Sequence, residues 1–243
     1  MSRSNFSGTN LSVDQVPYAV PPYTYQDSEM FTITVRTTPD TLAMMVPKPL
    51  VPQAGNRLIL YVGMLHVVEP VVITYGEAGI MIPVSFGERM GTYMPALYLD
   101  EIEMLTAGRE VWGFPKFGGD IALKREGNRV EAHIKDGAVT LIGASMEFDG
   151  PGEKPPVYDR EHFLLKSIPS VDGKGYDVRQ INTCLIRNDT RKEVQVGRSE
   201  LALASTIKNP LGDIPVEEIL TSVYSVGDMI LDKGELVYDY LAK

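Results

Sequence analysis

The sequence predicts a mostly β, α+β fold: an antiparallel, barrel-like single domain with a few short helices. Three observations carry that reading. Apolar residues alternate over many short runs. Turn signals such as Glu126-Gly127-Asn128 and Asp136-Gly137 separate those runs. Helix-start chemistry occurs in only a few short stretches.

Residues 1–30 read as an extended arm, because the prolines in Val16-Pro17-Tyr18-Ala19-Val20-Pro21-Pro22 disfavour a helix. Residues 31–243 read as the domain. Phe31–Arg36 alternates and is the first expected strand. A short helix follows, with Thr38 as N-cap, Pro39 at its first position, and Pro47 and Pro49 stopping it. Arg57–Val68 is nearly all apolar, which predicts a strand buried on both faces. Ile80–Phe86, Ala96–Leu105 and Asp120–Leu123 are shorter strand candidates, and residues 119–147 read as an antiparallel meander. Gly150–Pro156 reads as a loop. Strands are expected again at Asn182–Ile186 and Glu193–Ser205, a second short helix near Pro215 through Leu220, and a closing strand at Glu235–Leu241.

Composition excludes several classes. A net charge of −9 argues against nucleic acid or an anionic membrane as the main partner. No apolar run approaches the roughly 20 residues of a membrane helix. The first ten residues lack the apolar core of a secretory signal. The single cysteine, Cys184, permits no intrachain disulfide, which fits a reducing compartment and a cytoplasmic protein. It reads as a small core residue.

Metal chemistry has little support. His66, His133 and His162 form no ligand pair at helical or strand spacing, and the Asp100, Glu101, Glu103 cluster reads as solvated surface, with the two glutamates on one strand face. No HExxH, CxxC, GxSxG or phosphate-cradling glycine motif occurs, so neither metal nor cofactor is expected.

Lys116 is the residue of most interest. It follows Pro115 in Gly108–Gly119, a stretch holding the chain's single tryptophan, Trp112, together with Phe114 and Phe117. An amine among apolar side chains loses hydration, which favours its neutral form, a nucleophile for carbonyl carbon. The ordinary alternative is a loop lysine with a solvated head. Glu77, in Thr74–Gly79, is either a turn carboxylate or a proton-moving group beside a pocket. Residue types by themselves leave the function open.

Gly108-Arg109-Glu110 followed by Phe114-Pro115-Lys116 resembles the signature of acetoacetate decarboxylase. The resemblance extends in order through Val46–Leu50, Ile82–Phe86, Tyr98–Asp100, Asn209–Ile219 and Val237–Leu241. It implies a cone-like β-barrel of the acetoacetate decarboxylase type, assembled into homo-oligomers. It implies that Lys116 condenses with the ketone of a small oxo acid and that Glu77 positions groups or relays protons. Phe114, Trp112, Tyr61 and Tyr240 are the expected substrate-binding residues.

The chain also departs from the family. A second lysine directly follows the nucleophile in the family, and that position is Phe117 here. Desolvation by Trp112, Phe114 and Phe117 is then the expected means of activating the amine. A family arginine falls on Ser28 and a family glutamate on Tyr61, whose phenol can donate a hydrogen bond or a proton. Two reactions through one iminium are therefore expected to compete. One is decarboxylation of a β-keto acid. The other is aldol condensation and dehydration between a 2-oxo acid such as pyruvate and an aldehyde, with the decarboxylase activity lost. A non-catalytic small-ligand-binding protein is the third reading.

Overall fold

The computed structural model describes residues 16–242. Strand β1 (Tyr23–Arg36) leads into helix α1 (Pro39–Met45). A two-residue strand, β2 (Val51–Pro52), precedes three long ones, β3 (Arg57–Glu69), β4 (Ile73–Phe86) and β5 (Arg89–Leu99). Helix α2 (Ile102–Ala107) runs into one π-helical turn (Gly108–Trp112), and β6 (Lys116–Gly118) follows. The meander is β7 (Asp120–Glu126), β8 (Arg129–Asp136) and β9 (Val139–Pro151). A long hairpin, β10 (Tyr158–Pro169) and β11 (Tyr176–Asp189), precedes β12 (Glu193–Leu203). The chain finishes with a 3-10 turn (Leu211–Asp213), β13 (Glu218–Leu231) and β14 (Leu236–Asp239).

The mostly β expectation holds. β11 pairs with both β10 and β13, so β1, β3, β4, β5, β10, β11 and β13 hydrogen-bond in a closed ring. β12, β9, β8 and β7 continue from β13 and fold back over the outside of β3 and β4. The pairing is not wholly antiparallel. β10 runs parallel to β5, and β6 parallel to β5, because each reaches β5 through a long crossover.

This layering explains the nearly all-apolar sequence of β3. Leu58, Leu60 and Val62 face an outer core with Ile33, Ile80, Ile121 and Ile134. Tyr61, Leu65 and Val67 face an inner core with Tyr25, Tyr75, Leu97 and Phe114. Side chains of a strand alternate between its faces, so a strand between two cores must be apolar on both. Cys184 is fully buried in the inner core, as its residue type suggests.

Thr38 caps α1 as expected, its hydroxyl accepting from the Thr41 amide. Four expectations need correction. The first strand begins at Tyr23 rather than Phe31, so residues 23–30 are sheet, and residues 1–15 of the expected arm lie outside the described residues. Tyr23 and Tyr25 are buried and pair with Leu231 and Met229, a tertiary gain invisible in a local proline count. The helix expected near Pro215 is absent: Glu218 and Ile219 pair with Arg36 and Val35 in β13. A five-residue helix is too short to offset its nucleation cost, whereas the ladder continues an existing sheet. The strand expected through Leu105 stops at Leu99, and Glu101 instead caps α2 by accepting from the Glu103 amide. Glu77 is not in a turn but inside β4, opposite Leu99 and Gly63.

No helix among the described residues is long and apolar enough to cross a membrane. Among those residues no group of three or more His, Cys, Asp or Glu is arranged to hold a metal ion.

Candidate active site

The site begins with the turn that delivers Lys116. In the π-helical turn both Gly113 N–H and Phe114 N–H donate to Gly108 O, each at 3.0 Å. Gly113 then takes φ 91°, a left-handed conformation that glycine adopts without a Cβ penalty. Pro115 sets the chain direction, and Lys116 pairs in parallel with Leu97 of β5. Arg109 Nη1 donates to Lys116 O at 3.1 Å, which ties the lysine backbone to the turn before it.

The Lys116 side chain is 4% exposed. Its Nζ lies 3.0 Å from Glu77 Oε2 and 3.1 Å from Met104 O. The Phe114 and Tyr75 rings stand 5.3 and 5.9 Å from the nitrogen. Glycine at position 108 makes this path open. A Cβ there would sit 2.6 Å from Lys116 Cδ and 3.0 Å from Nζ.

Glu77 holds two partners at once. Its second oxygen, Oε1, accepts from the Tyr61 phenol at 2.9 Å. Burial, and then the Glu77 charge, push the Tyr61 phenol well above its ordinary pKa, so it stays a proton donor. Tyr25 and Tyr75 share a hydrogen bond at 3.2 Å across the same chamber, and burial raises both phenols as well. An amine, a carboxylate and a phenol in contact can pass a proton between them.

The space in front of Nζ is small, about 50 Å³. A larger cavity of about 750 Å³ adjoins it, and Met30, Met81, Arg160 and His162 line both. Arg160 Nε donates to Asp189 Oδ2 at 2.5 Å, and Arg160 Nη1 to His162 Nε2 at 2.9 Å. With Nε2 accepting, the other ring nitrogen carries the proton and donates to Thr92 Oγ1 at 2.5 Å. Burial, and then the Arg160 charge, hold His162 well below the ordinary histidine pKa, which agrees with a neutral ring.

Lys116, Glu77, Tyr61 and Phe114 thus meet at one chamber. Trp112 stands behind it. Its ring packs on Phe114 and Tyr23, and its Nε1 donates to Asp232 O at 3.0 Å. Tyr240 is elsewhere, its hydroxyl donating to Lys48 O and its ring edge-on to Tyr238. Phe117 does not shield the amine as expected. The next residue along a strand points to the opposite face, and Phe117 is 45% exposed against Tyr98. Ser28 is buried, its hydroxyl accepting from the His66 amide. The sequence reading missed Tyr25, Tyr75, Arg160 and His162. The signal was faint: Arg160 and His162 sit two apart, on one face of a strand that the residues before Phe163 do not announce.

A family model described as acetoacetate decarboxylase (ADC) matches residues 13–241. The chain belongs to the acetoacetate decarboxylase family. A relative named acetoacetate decarboxylase from Ralstonia nicotianae is 34% identical, the match covering 93% of this chain and 92% of the relative. Another of that name, from Burkholderia cenocepacia, is 33% identical, with 91% of each chain covered. Among solved structures, an acetoacetate decarboxylase superposes with a TM-score of 0.86 at 27% identity, over 100% of each chain. The acetoacetate decarboxylase of Legionella pneumophila gives 0.83 at 25% identity, over 96% of this chain and 94% of that one. The enduracididine biosynthesis enzyme MppR, complexed with pyruvate, gives 0.83 at 18% identity over 97% and 98%, a likeness of fold alone. The family relatives mark the chain as a lyase and agree with the mostly β architecture.

Proposed function

We propose that the protein decarboxylates a small β-keto acid through an iminium on Lys116. The observation that carries this reading is the buried amine facing a chamber of about 50 Å³, with Glu77 Oε2 at 3.0 Å. That volume equals the room of about four water molecules, which suits one short oxo acid.

The steps follow from the contacts. The amine attacks the keto carbon, and its proton passes to Glu77. The carbinolamine oxygen leaves as water once it is protonated, and an iminium forms. The bond between the α carbon and the carboxylate then breaks. Its electron pair moves into the iminium, CO₂ departs, and an enamine remains. One proton on the enamine carbon and one water at the iminium carbon release the ketone and restore the amine. Tyr61 and Glu77 form the relay for these protons, since both are held in contact and the phenol keeps its proton. Phe114 contributes an apolar wall 5.3 Å from the Lys116 nitrogen, which weakens the hydration of the amine.

A second reading has one specific support. The adjoining cavity of about 750 Å³ is large enough for a separate aldehyde. MppR, of the same fold, is described with pyruvate and with the condensation product of pyruvate and imidazole 4-carboxaldehyde. In that reading the Lys116 enamine of a 2-oxo acid adds to the aldehyde, and the Tyr61 phenol assists loss of water.

Borohydride tests the amine. Incubation with acetoacetate, then reduction, is expected to add the reduced ketone mass to the peptide containing Lys116, and Lys116→Ala is expected to abolish it. No adduct across a panel of oxo acids would sink the iminium reading. CO₂ release without aldehyde supports decarboxylation. An unsaturated acid formed only with pyruvate and an aldehyde supports the second reading.

A further inference from the structure

We propose that Arg160 anchors the substrate carboxylate, so that an oxo acid lies across the junction of the two cavities with its acid group on Arg160 Nη2 and its keto carbon toward Lys116. The placement of the keto carbon rests on the iminium reading. The carboxylate anchor stands on separate observations.

Among the described residues lining the chamber, the cationic side chains other than histidine are Lys116 and Arg160. A Lys116 nitrogen that bonds to carbon cannot also hold the acid. Among the described residues, Arg160 is committed on two edges, Nε to Asp189 and Nη1 to His162. The recorded partner of Nη2 is the Met229 thioether at 3.7 Å. Sulfur of this kind is a weak acceptor, so a strong donor meets a poor partner in a partly buried site. A carboxylate offers the acceptor that it lacks, with charge assistance. Arg191, which lines the larger cavity, is not equivalent. It does not line the chamber at Lys116, and both of its Nη atoms already donate to Asp189, Nη1 also to Thr190 O.

The surroundings hold Arg160 in place. Asp189 is fully buried and shared with Arg191, so it fixes the guanidinium without neutralising it alone. Neutral His162 accepts from Nη1 and in turn donates to Thr92, which fixes the plane of the fork. Met30 and Met81 line the junction beside it, and their flexible side chains let a substrate pass. The acid group therefore lies on the side from which CO₂ can leave into the larger cavity.

An anchor of this kind holds ground state and transition state alike until the carboxylate becomes neutral CO₂. Its loss is expected in KM more than in kcat. Arg160→Gln separates the anchor from the amine. Borohydride trapping of acetoacetate on Lys116 should need about tenfold more substrate or higher for half-saturation, a charged hydrogen bond being worth that much. Trapping of acetone, which has no carboxylate, should stay within about twofold, which also reports an intact fold. Equal loss for both ketones, or no loss for either, overturns the anchor. Non-covalent binding of acetoacetate to Lys116→Ala, by calorimetry, tests the anchor where no iminium can form. Adding Arg160→Gln there should weaken binding by a similar factor, and unchanged affinity overturns the proposal even if the wild type forms adducts.

Discussion

Gly108 shows how one missing Cβ can serve a neighbour rather than a turn. Its backbone is ordinary right-handed helix, φ −59° and ψ −44°, so alanine would fit that conformation and raise helix propensity. What forbids alanine is the aliphatic stem of Lys116, 2.6 Å from the missing atom. Gly108→Ala is expected to cost about 1–3 kcal/mol of stability through overpacking and, in the folded protein, to slow borohydride trapping at Lys116 by about 100-fold, because a shift near 1 Å misplaces the amine. Unchanged trapping kinetics would contradict that account. The same scale separates what residue types could announce from what they could not. Lys116, Glu77, Tyr61 and Phe114 were legible through the motifs around them, and they meet at the chamber. Phe117 misled, since adjacency in sequence puts a strand residue on the other face. Arg160 and Tyr25 could not be read locally, because their relation to Lys116 exists only through pairing of distant strands.

At the scale of elements, β10 carries a cost that depends on pH. His162 is 2% exposed, and burial with the Arg160 charge keeps it neutral far below the ordinary value of 6.5. In the unfolded chain a histidine takes a proton near pH 6.5. Below that pH the unfolded state binds a proton that the folded state refuses, so stability is full above about pH 6.5 and falls as pH drops, by about 1.4 kcal/mol per pH unit. The urea midpoint is expected to fall between about pH 7 and pH 5, and His162→Gln, which keeps an acceptor for Arg160, is expected to flatten the fall. An equal slope in the variant would remove His162 as the cause. Elements were also where the sequence reading failed most. The residues after Pro215 carry helix-start chemistry, yet Ile219 has Val35 to pair with. Local propensity is a few tenths of a kcal/mol per residue, and a waiting sheet edge overrides it.

At the scale of the molecule, two cores divide the work. The inner one surrounds the amine, and the outer one joins the ring to the sheet folded over it. Ile134 is fully buried in the outer core and lines none of the chamber. Ile134→Ala is expected to cost about 2–5 kcal/mol in urea unfolding while acetoacetate trapping at Lys116 changes less than about twofold. Coupled loss of both would show that the cores are not separable.

Much of this was determined by the sequence alone. Alternating runs and turn signals imply a mostly β chain, two-faced apolarity in β3 implies burial on both sides, and the ordered motifs imply the family and its lysine. Those properties are local, or repeat along the chain, and can be read from neighbours. Only the tertiary structure decided that β11 closes the ring, that Glu77 Oε2 stands 3.0 Å from the amine, and that Arg160 reaches the chamber with Nη2 facing the Met229 sulfur. Strand register sets which side chains share a face, and closure brings together faces far apart in sequence. Neither is encoded in any single stretch of residues.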